Sequence, residues 1–369
     1  MSTLYRYALP VDVTRWTIGK QEETTFSWEY QDERRDLLDL YDKGKRQQWD
    51  AALRIDWSQD LDPENPQLLD DRSIPIFGTP LWDKLSEKDR INIRHHQQAH
   101  TLSQFMHGEQ GALMVAAKLV HMVPTVDAKF YAATQTMDEA RHVEAYARLL
   151  HDKFNLVYPL TPGLKTLLEQ VLTDSRWDMA FLGMQVLIEG LALAAFQRIR
   201  DTARHPLAAA VNAYVMQDEA RHVAFGRIAL RDYYPKLTDA ERTEREQFVI
   251  EACYHMRDRF NQVELWANLG FDAEKSVKAV MGSEMMAAYR SRLFSRIVPT
   301  VKDIGLWSPK VQAAFTEMGA IHFADVDVRA VLDDDGRVAE EFDARRFVKD
   351  SLETPLARPA APVRAAMVR

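Results

Sequence analysis

The chain has 369 residues, with 47 Lys and Arg against 55 Asp and Glu, so its formal net charge is −8. The acidic surplus argues against nucleic-acid binding, which needs Lys and Arg gathered on one face. The single cysteine, Cys253, cannot form an internal disulfide, and no window reaches the ~18 consecutive apolar residues of a spanning helix. We therefore expect a cytoplasmic protein with no nucleic-acid partner and no membrane partner.

The pattern along the chain predicts three regions. Residues 1–80 carry four tryptophans and one charged helical pattern, and we interpret them as an N-terminal arm with a helix. Residues 81–330 are predicted to form one helical domain, because Ala, Leu, Met, Glu and Arg dominate and Gly and Pro are scarce. Residues 331–369 are charged and then rich in Ala, Pro and Arg, which predicts a disordered tail. The predicted helices cover residues 87–123, 125–158, 162–202 with a break near 174, 206–234, 238–270, 272–296 and 309–323.

An internal repeat is the most informative feature of the sequence. The hexapeptide Asp-Glu-Ala-Arg-His-Val occurs at 138–143 and again, 80 residues later, at 218–223. A lone glutamate precedes each motif glutamate by 30 residues, namely Glu109 and Glu189. Each half of the repeat is therefore predicted to be a helix with one Glu, followed by a helix with Glu-x-x-His.

This spacing predicts a buried metal centre. Residues i and i+3 share a helix face, so the Glu and His of each motif can point at the same spot. Glu109 and Glu189 lie in apolar surroundings and are expected to face inward. Four buried carboxylates would repel one another at a cost of several kcal/mol each, but two divalent cations would balance their charge. Oxygen donors with only two nitrogens and no thiolate favour iron or manganese over structural zinc.

Residues 87–235 resemble the ferritin-like superfamily of non-haem di-iron carboxylate proteins. That superfamily includes multicomponent hydroxylases, acyl-carrier desaturases, arylamine N-oxygenases and ribonucleotide reductase small subunits. The resemblance implies an all-α fold with a ferritin-like four-helix bundle core. The patterns outside residues 87–235 add further helices and an extended N-terminal arm. The resemblance also implies six metal ligands that are the catalytic residues: Glu109, Glu139, His142, Glu189, Glu219 and His222.

The resemblance further implies a set of residues around the ligands. In similar proteins the aspartate beside each motif glutamate accepts a hydrogen bond from the ligand histidine of the opposite motif, which implies Asp138 with His222 and Asp218 with His142. Each motif arginine would balance those aspartates or lie on the helix surface. Two glutamines four residues before ligand glutamates would face the metal cavity or fill a half-buried face. The predicted surrounding residues are Asp138, Asp218, Arg141, Arg221, Gln135, Gln185 and Tyr146.

Three details bear on the reaction. Similar arylamine N-oxygenases carry an extra histidine ligand one turn before the fourth-helix glutamate, where this chain has Val215. Tyr146 stands where ribonucleotide reductase small subunits place their radical tyrosine, but those subunits typically have Asp at the position of Glu109. The substrate cavity is predicted to be lined by Phe105, Leu113, Gln185, Leu193 and Val215.

Two further groups of residues are assigned no chemistry. The histidines that precede the first glutamate are interpreted as solvated or capping residues: His95, His96, His100 and His107. The glycines that flank the two lone glutamates are interpreted as points of close helix contact, with an open pocket as the alternative: Gly108, Gly111, Gly183 and Gly190.

Together these features predict a non-haem di-iron monooxygenase that uses O2 as co-substrate and hydroxylates or N-oxygenates a small organic substrate. The alternative is a radical-generating subunit like that of ribonucleotide reductase, or a metal-oxidising ferritin-like protein. The predicted cofactor is two iron ions, with a manganese–iron pair as a variant. The sequence carries no flavin or NAD fingerprint, so we expect a separate reductase or ferredoxin to donate electrons. A homodimer is compatible with these features.

Overall fold

A computed structural model describes residue 24, residues 34–340 and residues 342–344. Most of the predicted N-terminal arm before residue 34, with Trp16 and Trp28, and the tail from residue 345 onward lie outside the described residues. The arm that is described contains three helices, α1 (Arg35–Arg46), α2 (Ala51–Arg54) and α3 (Pro80–Asp83). Helix α1 packs against α5 and α9 of the central bundle, so the arm places its side chains against these two helices.

Four long helices form the bundle. They are α4 (Glu87–Met122), α5 (Val126–Arg148), the helix composed of α7 (Trp177–Phe181) and α8 (Glu189–Thr202), and α9 (Pro206–Tyr233). Helix α6 (Pro162–Thr173) precedes α7. Helix α4 packs on α5, α8 packs on α9, and α5 contacts α9. The predicted all-α, ferritin-like bundle is therefore confirmed, with each half of the sequence repeat forming one antiparallel helix pair.

Local sequence signals explain where these helices begin. Ser86 and Asp89 form a reciprocal capping box at the start of α4, and the Thr125 side chain accepts a hydrogen bond at the start of α5. The predicted break near Asp174 is confirmed, because α6 ends at Thr173 and Asp174 has an extended backbone.

The helix from Trp177 to Thr202 is the central apolar element. By length and composition this helix could span a membrane, because an 18-residue window of it has a mean hydropathy of 1.8. In the protein, however, 94% of that window is buried. Its residues Leu182–Ile188 form π-helical turns, which the sequence pattern did not predict. These wider turns end directly before Glu189, and such turns frequently occur at functional sites.

The C-terminal part of the chain wraps around the bundle as short helices. Their bounds are α10 Asp239–Asp258, α11 Val263–Asn268, α12 Ala273–Met281, α13 Glu284–Leu293, α14 Ile297–Asp303, α15 Pro309–Glu317 and α16 Val328–Asp335. The sequence predicted one helix over 238–270, but the chain turns after α10 because Gln262 adopts a left-handed backbone with φ of 54°.

The start of the predicted disordered tail is ordered instead. Residues 331–335 belong to α16, which packs on α9. Leu332 is buried, and the Asp335 carboxylate forms a buried ion pair with Arg296 at 2.7 Å. The charged composition of this stretch predicts disorder, but a helix forms there. The buried side chain of Leu332 and the ion pair of Asp335 with Arg296 attach this helix to the rest of the protein.

Candidate metal centre

Six predicted ligands meet in the middle of the bundle. Glu109 lies on α4, Glu139 and His142 on α5, Glu189 at the start of α8, and Glu219 and His222 on α9. Two overlapping groups of side chains can each hold an ion, with ligand atoms within 4.8 Å of one another. The first group is Glu109, Glu139, His142 and Glu219, and the second is Glu139, Glu189, Glu219 and His222. Two members, Glu139 and Glu219, belong to both groups.

Each ligand histidine presents the same ring nitrogen to the cluster. Nδ1 of His142 lies 3.0 Å from Glu219 and 3.2 Å from Glu109, and Nδ1 of His222 lies 3.0 Å from Glu139. The opposite nitrogen, Nε2, faces an aspartate in both rings. Because an aspartate carboxylate accepts hydrogen bonds, Nε2 carries a proton. Although burial lowers the pKa of both histidines, the surrounding carboxylates raise it overall to well above the usual value, so Nδ1 is protonated as well. A divalent cation would displace the Nδ1 proton and bind the lone pair.

The side chains at this point fit two divalent metal ions. Oε2 of Glu189 has no hydrogen-bond partner among the described residues. Glu219 and Nδ1 of His222 lie close to charged neighbours, but no contact of either Glu219 oxygen or of this nitrogen has hydrogen-bond geometry. Such atoms normally have partners in a folded protein, and a cation would supply one for each. Four carboxylates and two neutral imidazoles also balance the charge of two divalent ions, and this hard donor set suits iron or manganese.

Burial controls the protonation of the carboxylates. It raises the pKa of Glu109 and Glu189 well above the usual value, and the negative charge of Glu219 raises both further. Burial would also raise the pKa of Glu139, but the positive charge of His222 lowers it. Two of the carboxylates therefore hold protons that a divalent cation would displace.

Aspartates and arginines form a buried ion network behind the histidines. Asp138 lies 3.3 Å from Nε2 of His222, and Asp218 lies 3.1 Å from Nε2 of His142. Arg141 bonds to both aspartates, at 2.6 Å to Asp138 and 2.7 Å to Asp218. Arg221, the other motif arginine, contacts the same two aspartates. Both arginines are buried rather than on the helix surface. Each therefore balances the negative charge of both aspartates.

The N-terminal segment between α1 and α2 completes this network, which sequence reasoning did not predict. Gln48 donates to Asp138 at 2.7 Å, and the indole nitrogen of Trp49 donates to Asp218 at 2.7 Å. Gln47 accepts from Arg221. The only signal in the sequence was a tryptophan beside two glutamines, and no spacing connects it with the repeat.

The two predicted glutamines lie inside the site. Gln135 is fully buried and donates to Glu139 at 3.0 Å and to Glu189 at 2.9 Å. Gln185 donates to the side-chain oxygen of Gln135 at 3.3 Å. Of the two open interpretations, Gln135 fits the one in which the side chain faces the metal ligands, because it joins carboxylates from two helices. Gln185 contacts Gln135 rather than a ligand.

A chamber borders the ligands, and we call it the inner chamber. It contains about 390 Å³ of empty space, part of it open to solvent. Both repeat halves contribute equivalent positions, for example Gly108 with Ile188 and Ala112 with Ala192. Its complete lining is Gln104, Phe105, Gly108, Glu109, Ala112, Leu164, Met184, Ile188, Glu189, Ala192, Phe196, Glu219 and Arg259.

Four predicted cavity residues do not line this chamber. Phe105 does, but Leu113, Gln185, Leu193 and Val215 do not. The prediction of Leu113 and Leu193 was wrong by one helical position, because the residues three after each lone glutamate, rather than four after, face the chamber. The side chain of Val215 is fully buried in α9.

Tyr146 lies beside the chamber, against its aromatic wall. Its ring is 5.8 Å from that of Phe105, and its hydroxyl donates to Asn212 at 3.0 Å. Burial raises the pKa of Tyr146, and the charges of Glu109 and Glu219 add to this shift. The phenol is therefore held neutral.

Comparison with known proteins agrees with this geometry. The model of the p-aminobenzoate N-oxygenase AurF family matches residues 30–305, about three quarters of the chain, and so includes the Gln48–Trp49 segment and all six side chains of the cluster. No curated protein matches the chain. The family match favours an oxygenase over a radical-generating subunit or a metal-oxidising protein. The chain belongs to the p-aminobenzoate N-oxygenase AurF family and is a non-haem di-iron enzyme that uses O2 to oxidise a small organic substrate.

Proposed function

We propose that the protein transfers one oxygen atom from O2 to the nitrogen of an aromatic amine. The reaction consumes the amine, O2, two electrons and two protons, and it yields a hydroxylamine and water. One observation carries the proposal: two overlapping four-ligand groups share Glu139 and Glu219 in a chain of an N-oxygenase family. Two ions held this way would lie side by side, the arrangement that suits a reaction at a metal pair.

The ligand roles follow from the two groups. Glu109 and His142 would hold one ion and Glu189 and His222 would hold the other, while Glu139 and Glu219 belong to both groups. When bound, the iron pair supplies the electrons and the open positions for reduction of O2. The protein supplies the ligands, a dry chamber and the orientation of the substrate.

The ion network behind the histidines keeps the ligands in position. Asp138 and Asp218 accept from Nε2 of the two imidazoles, which leaves each Nδ1 free to bind a cation. Gln135 donates to Glu139 and Glu189, so it fixes the orientation of two carboxylates on different helices.

The walls of the inner chamber suit an aromatic ring. Phe105 and Phe196 meet edge to face, with ring centroids 4.6 Å apart, and Leu164 and Met184 add further apolar surface. A flat ring would pack against these side chains and exclude water from the oxidised atom. Gly108 and Ala112 line the same chamber and add little side-chain volume to its wall.

Hydroxylation of a carbon atom is the second candidate, and Val215 favours it. Similar arylamine N-oxygenases carry a histidine ligand at this position, whereas the buried Val215 offers no donor atom. An enzyme with six rather than seven ligands resembles the hydroxylase branch of the superfamily in this respect. The products of one amine distinguish the two candidates.

A separate electron donor is part of the proposal, because each turnover needs two electrons and the sequence has no flavin or nicotinamide fingerprint. The donor would be a reductase or a ferredoxin. The homodimer and the cytoplasmic location stay predictions, and sedimentation analysis of the purified protein tests the first of them.

The decisive experiment combines metal analysis with product analysis. Protein from iron-supplied cells is assayed for iron and by Mössbauer spectroscopy, then reduced chemically and exposed to ¹⁸O₂ with 4-aminobenzoate. Two irons per chain and a labelled hydroxylamine support the proposal, while a labelled phenol supports the second candidate. Far less than two irons, or no labelled product, contradicts both.

Ligand variants supply the control. Glu139→Ala and His222→Ala are expected to abolish oxidation while leaving the helical circular dichroism largely intact, because each removes a donor from the cluster without removing apolar core. Turnover in either variant would contradict the ligand assignment.

A further inference from the structure

A second chamber adjoins the inner one, and we call it the outer chamber. It contains about 810 Å³ of empty space, part of it open to solvent. Gln104, Phe105 and Arg259 line both chambers. Arg259 therefore lies at the boundary between the outer chamber and the inner chamber, which Glu109 also lines.

The charges around the outer chamber are of one sign. In the described part of the chain no acidic residue lines it, whereas two arginines do. One of them, Arg198, already has partners, because it donates to the backbone oxygen of Ser73 at 2.9 Å and lies over the ring of Tyr289 at 4.4 Å. The chamber is therefore suited to attract an anion.

The other arginine, Arg259, has no acidic partner within ion-pair distance among the described residues. Its guanidinium lies 5.1 Å from the ring centroid of Phe260 and also interacts with Tyr289. Burial lowers the pKa of Arg259 to about 10, so the group is still charged at neutral pH. A partly buried cation without a counterion is costly unless a ligand pairs with it.

Unpartnered polar atoms also gather at this chamber. Four buried side chains that line it have atoms without a hydrogen-bond partner among the described residues: Gln67, His100, Thr161 and Gln262. For His100, which is 2% exposed, both ring nitrogens are unpartnered. Buried polar groups without partners destabilise a fold. The Thr161 hydroxyl and the N–H of the neutral His100 ring can donate to a ligand oxygen, whereas the amide oxygens of Gln67 and Gln262 can accept from a ligand N–H.

Resting on the proposed function, we infer that Arg259 binds the carboxylate of an aromatic amino acid substrate of the aminobenzoate type, whose amine reaches into the inner chamber. The guanidinium pairs with a planar carboxylate through two parallel hydrogen bonds. One unpaired cation balances one negative charge, so a monoanion fits best. The ring would lie at Phe105, which borders both chambers. Arg259 is then a specificity-determining residue that positions the amine.

The test measures binding separately from oxidation. Iron-loaded full-length protein is titrated without O2, by calorimetry, with 4-aminobenzoate and with its neutral analogue 4-aminobenzamide. The wild-type protein is expected to bind the acid at least about tenfold more tightly, as a charged hydrogen-bonded pair allows. Equal affinity for the two compounds, or binding of neither, would overturn the inference.

Variants assign the preference to one side chain. Arg259→Gln is expected to lose the preference for the acid while its affinity for the amide stays the same, and Arg259→Lys to recover part of the preference. The matched control is Arg257→Gln, which removes an equal charge two residues away from Arg259. Unlike Arg259, Arg257 pairs with an acidic residue, Asp258, at 2.7 Å. A full acid preference in Arg259→Gln would contradict the assignment.

Steady-state kinetics add an independent readout. Because the pair with the carboxylate forms in the ground state and persists in the transition state, Arg259→Gln should raise KM for 4-aminobenzoate and leave kcat nearly unchanged. The two proposals fail separately. An acid preference that depends on Arg259, without a labelled hydroxylamine, refutes N-oxygenation only, and N-oxygenation without an acid preference refutes the role of Arg259 only.

Discussion

Asp218 lies 3.1 Å from Nε2 of His142, and this contact joins α9 to α5 across the centre of the bundle. The same carboxylate oxygen accepts from Trp49 and from Arg141. Although burial raises the pKa of Asp218, the neighbouring cations lower it overall to well below its ordinary range. Asp218 is therefore an ionised side chain through which three parts of the protein, α5, α9 and the segment between α1 and α2, hold one imidazole.

Replacement of Asp218 should weaken metal binding without removing a ligand. In Asp218→Asn the imidazole of His142 loses its charged acceptor, and loss of such a partner typically lowers metal affinity by about 10–100-fold. Competition with an iron chelator measures the change. Asp138→Asn should behave alike, because Asp138 faces the other histidine. Asp60→Asn, whose side chain is 99% exposed, is the control, and equal iron affinity in all these proteins would contradict the prediction.

Removal of one ligand charge should separate stability from metal binding. Burial raises the pKa of Glu189, so the metal-free protein already holds this group protonated. Glu189→Gln is therefore expected to leave the Tm of the metal-free protein unchanged or slightly higher. Iron should raise the Tm of the wild type, because a ligand that binds only the folded state stabilises it, and should raise the Tm of the variant much less. Thermal unfolding with and without iron tests this, and an equal rise in both contradicts it.

The metal cluster could be predicted from the sequence because its ligands follow a short spacing within each helix and a repeat between the two halves of the chain. The Glu-x-x-His spacing fixes two ligands on one helix face, and the 80-residue repeat requires the second half to mirror the first. The predicted helix starts at Ser86 and Thr125 are confirmed for the same reason, since a cap depends on residues only three positions apart.

Features that depend on distant contacts could not be predicted in this way. The contact of Trp49 with Asp218 spans 169 residues and has no periodic signal. His100 was interpreted as solvated or capping, but it is buried at the outer chamber because the segment around Gln262 folds back over α4. The error at Leu113 has a local cause, since a rotation of one helical position decides which side chain faces a cavity.

The contact of Trp49 should stabilise the protein measurably. Trp49→Phe keeps an aromatic ring but removes the donor to Asp218, and a hydrogen bond to a charged group contributes about 1.5–3 kcal/mol. Urea unfolding should show a loss in that range. Trp57→Phe is the matched control, because its indole donates at the same 2.7 Å to the neutral backbone oxygen of Ala51, and its loss should be smaller. Equal losses would show that the charge of Asp218 is irrelevant.

The size of the inner chamber should control which substrates react. A Cβ at Gly108 would meet open space, so Gly108→Val should fill part of the chamber, raise KM for 4-aminobenzoate and leave two irons bound. Gly111→Ala gives the contrast. Its Cβ would collide with Leu168, so that variant should lose about 1–3 kcal/mol of stability. If Gly108→Val left the kinetics unchanged, the chamber would not be the substrate site.

Acid should destabilise the protein through His100. Burial and, to a smaller extent, the charges of Arg259 and His107 together lower the pKa of His100 to about 4. The ring of Tyr158 is the other close group. Between pH 6.5 and pH 4 the unfolded chain therefore binds a proton that the folded protein does not, so stability falls as the pH falls through this window.

For this one group the loss between pH 7 and pH 4.5 amounts to about 2–3 kcal/mol. Urea unfolding at the two pH values should show a smaller difference for His100→Gln than for the wild type. His121→Gln, at an exposed histidine, should behave as the wild type.

Because His100 lines the outer chamber, 4-aminobenzoate bound at Arg259 would also supply a negative charge near the ring of His100. Saturation with this compound is therefore expected to reduce the acid sensitivity of the wild type and to have little effect on His100→Gln.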